Sequence, residues 1–287
     1  MNSASTWPAW LHQLIDDAAI FPPGNVPLER AVAEHREHTT SEYADLVGGF
    51  VISDVKVADL IDVLDEADHD SPLAVNLVVT GGAGAIEPAV RWLNRAPTAV
   101  LRGVEFALRD EEDLAHNARR AIIAWDLLED DNPDTDVYIE LPRLEGPPTH
   151  GWLSAMDEIA DRGLRAKFRT GGVEQQAFPT CGELGDAINA ALDRELEFKC
   201  TAGLHRAVRH YDPATGLTHH GFLNVLRATR AALDGEDPSE VLAQESAEVL
   251  LEDFDAEEAL RTRRWFTGFG SCSVLEPHDD LVDLGLL

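Results

Sequence analysis

Short runs rich in branched apolar residues alternate along the chain with longer stretches in which apolar residues recur at three- and four-residue spacing. The first pattern predicts buried strands and the second amphipathic helices. Strands are predicted at Ala18–Phe21, Gly49–Ser53, Leu73–Thr80, Gly103–Leu108, Asp136–Leu141, Leu164–Arg169, Leu196–Thr201 and Phe266–Ser271. Helices are predicted over Leu28–His38, Val57–Glu66, Ile86–Leu93, Glu111–Leu128, Gly151–Arg162 and Glu183–Arg194. Such alternation belongs to a parallel sheet with crossover helices. Eight units close most naturally into an α/β fold of the (β/α)8 TIM barrel type, with a doubly wound open sheet as the other arrangement. The 287 residues match one barrel of roughly 250 residues with an addition, so the chain reads as a single barrel domain over 1–287.

The addition lies between strands seven and eight, where His205 to Trp265 is too long for one crossover helix. A helical insertion of about 206–264 is expected, with a loop around Tyr211–Thr218, a helix over Phe222–Leu233, a turn at Gly235–Pro238 and an acidic helix from Ser239 to about Phe254. It could roof the barrel mouth or form a contact between subunits of a homo-oligomer.

Strand parity then assigns side chains to the barrel interior. If Leu164, Ala166 and Phe168 face the helices, Arg165, Lys167 and Arg169 face inward. The same alternation places Glu105 inward on strand four, Tyr138 and Glu140 on strand five, and Glu197, Lys199 and Thr201 on strand seven. Ionisable groups converging on one interior are costly unless paired or near the open mouth. Inward Glu–Lys and Glu–Arg pairs can therefore be a structural polar layer. They can also be an active site, which in barrels forms at the carboxyl-terminal mouth.

Composition narrows the chemistry. A formal charge of −30 repels nucleic acid and anionic lipid, so neither is expected as a partner, and no run approaches 18 apolar residues. The start, Met1 to Leu14, lacks a basic region followed by an apolar one, and Cys181, Cys200 and Cys272 show no CxxC spacing. A cytoplasmic protein without a disulfide framework or structural zinc site is expected. Only three of the 23 basic residues are lysines, Lys56, Lys167 and Lys199. A GC-rich genome or a salt-adapted cytoplasm explains the scarcity of lysine, but not where the survivors sit.

Lys167 and Lys199 are 32 positions apart, the length of one strand–helix–strand unit, which predicts equivalent heights on neighbouring strands about 5 Å apart. Two ammonium groups that close disfavour double protonation, so one lysine is expected to be partly neutral and able to attack a carbonyl. Arginine cannot do this. Each lysine precedes a small-residue turn, Thr170-Gly171-Gly172 or Ala202-Gly203-Leu204-His205-Arg206, and a late Phe269-Gly270-Ser271-Cys272-Ser273 loop follows strand eight.

Over Leu164 to Ser273 these motifs resemble the class I, Schiff-base aldolases, most closely the deoxyribose-phosphate aldolase type. The resemblance implies a lyase with Lys167 as imine-forming nucleophile, Lys199 as the neighbour that lowers its pKa, and Glu105 in acidic proton transfer. Glu140 joins this catalytic group by its inward parity. The resemblance also implies a phosphate site at Gly270 and Ser271. Arg169, Thr170, Gly171, Gly172, Thr201, Gly203 and His205 are the other candidate substrate contacts. The expected substrate is a small carbonyl compound, phosphorylated or carboxylated, and the chemistry requires no dissociable cofactor.

Two other readings stay open. His205, His210, His219 and His220 fall within sixteen residues and suggest a metal-dependent hydrolase or lyase, completed by Glu105 or Glu140. Their spacing does not follow one helix face, so no metal ligand is assigned. A ligand-binding or assembly barrel with a structural charged interior is the non-enzymatic reading. Thr80-Gly81-Gly82-Ala83-Gly84 reads as a tight turn rather than a phosphate loop, and Lys56 as peripheral.

Overall fold

The computed structural model describes residues 7–66, 71–109 and 112–287; Met1–Thr6 and Glu111 at the predicted start of the fourth helix lie outside them. Eight parallel strands close a barrel: β1 (Ile15–Asp17), β2 (Val47–Ser53), β3 (Leu73–Val79), β4 (Ala99–Ala107), β5 (Asp136–Glu140), β6 (Arg165–Arg169), β7 (Phe198–Thr201) and β10 (Phe266–Ser271). β10 lies between β7 and β1 and completes the ring. Helices α1 (Leu28–His38), α2 (Val57–Asp65), α3 (Ile86–Leu93), α4 (Leu114–Asp126), α5 (His150–Asp161) and α6 (Cys181–Leu192) follow β1 through β6 in turn. The expected TIM barrel is therefore the fold, and the open sheet is excluded.

The first strand departs from expectation. β1 is Ile15–Asp17, and Ala18–Phe21 forms the turn beyond it. The strand is only three residues long and two are aspartates, so no apolar run marks it. Neighbouring strands hold it, with Ile15 opposite Phe269 and Asp16 opposite Gly270.

The outer parity builds the core between barrel and helices. Ala166, Phe198 and Cys200 are fully buried, and Phe168 stacks against Trp152 of α5 at 6.3 Å between ring centroids. Phe168, Phe198 and Phe266 continue as a row of rings 5.3 and 5.7 Å apart. This packing fixes the phase of β6, β7 and β10 and turns the alternate side chains inward.

The segment after β7 has two destinations. A hairpin of β8 (His210–Asp212) and β9 (Leu217–His219) crosses the mouth, and α7 (Phe222–Leu233) then descends beside β10, with Phe222 stacked on Phe269 at 5.1 Å. The predicted acidic helix is instead broken into α8 (Pro238–Leu242) and α9 (Ala247–Leu251), followed by α10 (Ala256–Thr262). The break is chemical: the Gln244 side chain accepts from the amides of Glu245 and Ser246, and the Ser246 hydroxyl then caps α9. α10 packs against the turn Ala9–Leu11 before β1, away from the mouth. Of this segment, the hairpin is the part that lines the mouth cavity, through His210, Tyr211, Asp212, Thr215, Leu217 and His219. Buried Asn224 ties its root to α8, accepting from the Arg209 amide and donating to the carbonyls of Val241 and Gln244. The last helix, α11 (Leu275–Asp283), starts just beyond β10.

The turns after β6 and β7 touch through their glycines. Gly203 has φ of +79°, and a Cβ there would come within 3.1 Å of the Gly171 Cα. Gly163 has a similar φ of +71° but open space around its Cβ position. Gly163→Ala is therefore expected to cost the backbone term alone, about 1 kcal/mol, and Gly203→Ala about 1–3 kcal/mol because neighbouring backbone must also shift. Urea unfolding of the two variants measures the difference, and equal costs would dismiss the close packing of the turns.

Candidate active site

Inside the barrel, charged groups form one continuous chain of alternating sign. Asp16 Oδ2 accepts from Lys199 Nζ at 2.5 Å, and Lys199 also donates to Glu105 Oε1 at 2.6 Å. The other oxygen of Glu105 lies 2.6 Å from Lys167 Nζ, which lies 2.8 Å from Glu140 Oε2. Glu140 Oε1 in turn accepts from Arg169 Nε at 3.1 Å. Three carboxylates and three cations balance, and the groups at the centre, Glu105, Lys167 and Lys199, are 2–3% exposed. Such burial is sustained only because every charge has a short, charge-assisted partner.

The strand register brings them together. Lys167 pairs across the sheet with Lys199 on β7, as expected from the spacing, and with Glu140 on β5. The inferred electrostatics is overturned. Glu105 reaches between the two ammonium groups, so neither lysine is partly neutral in the free protein. Burial by itself would lower both, but Glu105 and Glu140 around Lys167, and Asp16 and Glu105 around Lys199, outweigh it and raise both. Conversely, burial pushes the Glu105 carboxyl up, and the two lysines overcome it and hold the group down at about 2. Glu140 is lowered as well, because Lys167 and Arg169 outweigh its burial.

The lysines face different ends. Lys167 lines a cavity of 1020 Å³ at the carboxyl-terminal mouth, together with Glu105, Glu140, Arg169 and Thr201. Lys199 lines a separate polar cavity of 180 Å³ that includes Asp136, Arg165 and Thr267 near the amino-terminal ends of their strands. Its Nζ also sits 5.1 Å from the centroid of the Tyr138 ring, whose hydroxyl meets Thr267 Oγ1 at 3.1 Å.

Of the other candidate contacts, Gly172, Gly203, His205 and Gly270 line the mouth cavity, and Arg109 and Arg206 join Arg169 there. Thr170 is fully buried and its hydroxyl donates to the carbonyls of Thr201 and Ala202, so it holds the two turns together. Gly171 is packed against Gly203 and the Phe178 ring, and Ser271 is buried at 2% exposure, its hydroxyl accepting from the Ser273 amide. These three positions shape the wall rather than present a group to a ligand. In the glycine-rich turn after β3, the Thr80 hydroxyl and the Gly81 amide both donate to Asp54, which already occupies the place of an anion.

Three of the four histidines, His205, His210 and His219, line the mouth cavity together, with the His205 and His219 rings 6.5 Å apart, whereas His220 does not. The His205 Nδ1 meets Glu276 at 3.0 Å, His210 stacks on His219 at 5.3 Å, and His220 turns away to Pro179 O at 2.8 Å. Among the described residues no group of three or more His, Cys, Asp or Glu side chains is arranged to hold a metal ion. The metal-dependent reading therefore lacks a ligand set among them. Lys56 is exposed beside α2. Sequence reasoning missed Asp16, whose signal was the Ile15-Asp16-Asp17 triplet, and gave no base to Cys272, although His205 lies 3.8 Å from its Sγ. Among the described residues no helix is long and apolar enough to cross a membrane.

No protein-family model and no curated protein matches the chain. Among solved structures it is similar to the tetrameric deoxyribose phosphate aldolase from Aeropyrum pernix, at 12% identity and a TM-score of 0.54 over 96% of this chain and 93% of that one. It is also similar to a xylose isomerase-like TIM barrel protein from Mycobacterium smegmatis in complex with magnesium, at 14% identity and a TM-score of 0.40 over 91% of this chain and 99% of that one. At 12% identity the property shared with the first of these is the fold, a closed eight-stranded α/β barrel.

Proposed function

We propose that this barrel is a Schiff-base lyase that makes or breaks a carbon–carbon bond in a small carbonyl compound, with Lys167 as the covalent nucleophile. One observation carries the assignment: of the two buried lysines, Lys167 lines the mouth cavity and is held between two carboxylates. Its ammonium must lose a proton before attack, and Glu105 and Glu140, at 2.6 and 2.8 Å, are the acceptors. Nζ then bonds to the carbonyl carbon, and the carbonyl oxygen leaves as water. The product iminium is still a cation, so Glu105 and Glu140 keep their partner and the charge chain stays balanced. In the cleavage direction the carbon–carbon electron pair flows into the iminium to give an enamine, while a carboxylate takes the proton of the β-hydroxyl. Glu140, nearer the mouth, suits that second transfer.

Lys199 has the supporting role. It neutralises Glu105 from below, which leaves the carboxylate able to orient Lys167. Arg169, Arg109 and Arg206 at the mouth suit a carboxylate or phosphate on the substrate.

Incubation with small aldehydes, ketones and sugar phosphates, followed by borohydride and peptide mapping, tests the reading. Saturable reduction onto Lys167 is expected. An adduct on Lys199 would exchange the roles of the two lysines. If the folded protein takes no adduct across the panel, the charge chain is a structural layer and the barrel a binding protein.

A further inference from the structure

Above the lysines, the same cavity carries a second set of groups with nucleophile chemistry. Cys272 follows β10, His205 follows β7 and Glu276 lies in the first turn of α11, and all three line the mouth cavity. Cys272 Sγ is 3.8 Å from both ring nitrogens of His205, and His205 Nδ1 is 3.0 Å from Glu276 Oε2. Thiol, imidazole and carboxylate thus stand in the order in which a proton carrier lies beside a nucleophile and a third group orients the carrier. The ring is held firmly: burial would depress the His205 imidazole, but its contacts with Cys272 and Glu276 outweigh this and push it up to about 9. The wall beside Cys272 is closely fitted, since a Cβ at Gly24 would come 3.0 Å from the Cys272 Cβ. Neither of the other two cysteines stands beside an imidazole among the described residues: Cys200 is packed in the barrel core, and Cys181 lies at the start of α6, with its thiol raised by burial.

We propose that Cys272 is a second covalent nucleophile of this cavity, adding reversibly to an aldehyde carbonyl, with His205 carrying the proton and Glu276 positioning the ring. The Cys272 thiol gives its proton to solvent, and the Sγ–C bond forms as the carbonyl π bond breaks. The protonated His205 ring gives its proton to the new alkoxide oxygen and regains one from solvent. The product is a hemithioacetal, and no oxidant, reductant or leaving group is needed. The inference rests on the proposed lyase reading only for the class of ligand. It gives that reading a place for the second carbonyl compound of a condensation, held apart from the partner bound to Lys167.

The test uses iodoacetamide as the thiol probe and glycolaldehyde as the aldehyde, with peptide mapping of alkylation rates. A thiol without assistance is only a few per cent thiolate at neutral pH, so Cys272 is expected to react about tenfold faster than Cys181. His205→Asn and His205→Gln, with unfolding midpoints checked, should each bring Cys272 down about tenfold, to the level of an unassisted thiol. Glycolaldehyde should slow alkylation of Cys272 in the parent protein and equally in Lys167→Ala. Alkylation of Cys272 at the rate of Cys181, unchanged rates in both His205 variants, or the absence of aldehyde protection would each overturn the assignment. Failure of the lyase reading registers separately, as absence of borohydride-trapped adduct on Lys167.

Discussion

Replacing Glu105 by Gln is expected to lower the unfolding free energy by about 3–5 kcal/mol, the cost of leaving buried charge without its partner. The substitution keeps the shape of the side chain and removes only its charge. Two ammonium groups, each 2.6 Å from a Glu105 oxygen, would then share a neutral amide, with Asp16 and Glu140 left to balance them from the outer ends. Urea unfolding at neutral pH measures the loss. A change below about 1 kcal/mol would mean that the pairs behave as solvated surface ion pairs. The pH dependence gives the same prediction a second face. The Glu105 carboxyl is held at about 2 in the folded protein against an ordinary value of 4.5, so its stabilisation is present above 4.5 and lost as pH falls toward 2. That shift corresponds to about 3 kcal/mol. The gap between the parent protein and Glu105→Gln should therefore be widest above pH 5 and close progressively in acid. A gap independent of pH would place the effect in packing instead.

The central part of this arrangement was legible from alternation alone. Lys167, Lys199, Glu105 and Glu140 each stand between apolar residues on short strands, and burying those apolar neighbours against the helices leaves the charged groups only the interior. Asp16 was hidden because β1 has three residues and two of them are acidic. Its strand exists through pairing with β10 and β2, which no local pattern records. Sequence spacing gave the height of the lysines but not the position of a carboxylate between them, and so the inferred neutral amine was wrong. Parity could not decide which ammonium faces the mouth either, because both lysines occupy one level of the barrel. The meeting of Cys272 with His205 joins residues 67 positions apart and depends on the ends of β7 and β10 lying side by side.

The asymmetry between the two lysines leads to the largest functional effect expected. Lys167→Arg should retain a cation against Glu105 and Glu140 while abolishing the borohydride-trapped adduct, because a guanidinium does not give up its proton to become a nucleophile. Arginine is bulkier, but Lys167 opens onto the mouth cavity, so the stability cost should stay within about 1–3 kcal/mol. Lys199→Arg keeps the charge beneath Glu105 and leaves the nucleophile in place, so its adduct should still map to Lys167. The pair of variants separates covalent chemistry from electrostatic support. If both lose the adduct while remaining folded, Lys199 does more than neutralise Glu105 and exchanges protons with the reacting amine through that carboxylate. If Lys167→Arg is still labelled, the imine forms on Lys199 or Lys56, and an approach through the polar cavity at the opposite end of the barrel, where Lys199 is seated, becomes the route to examine.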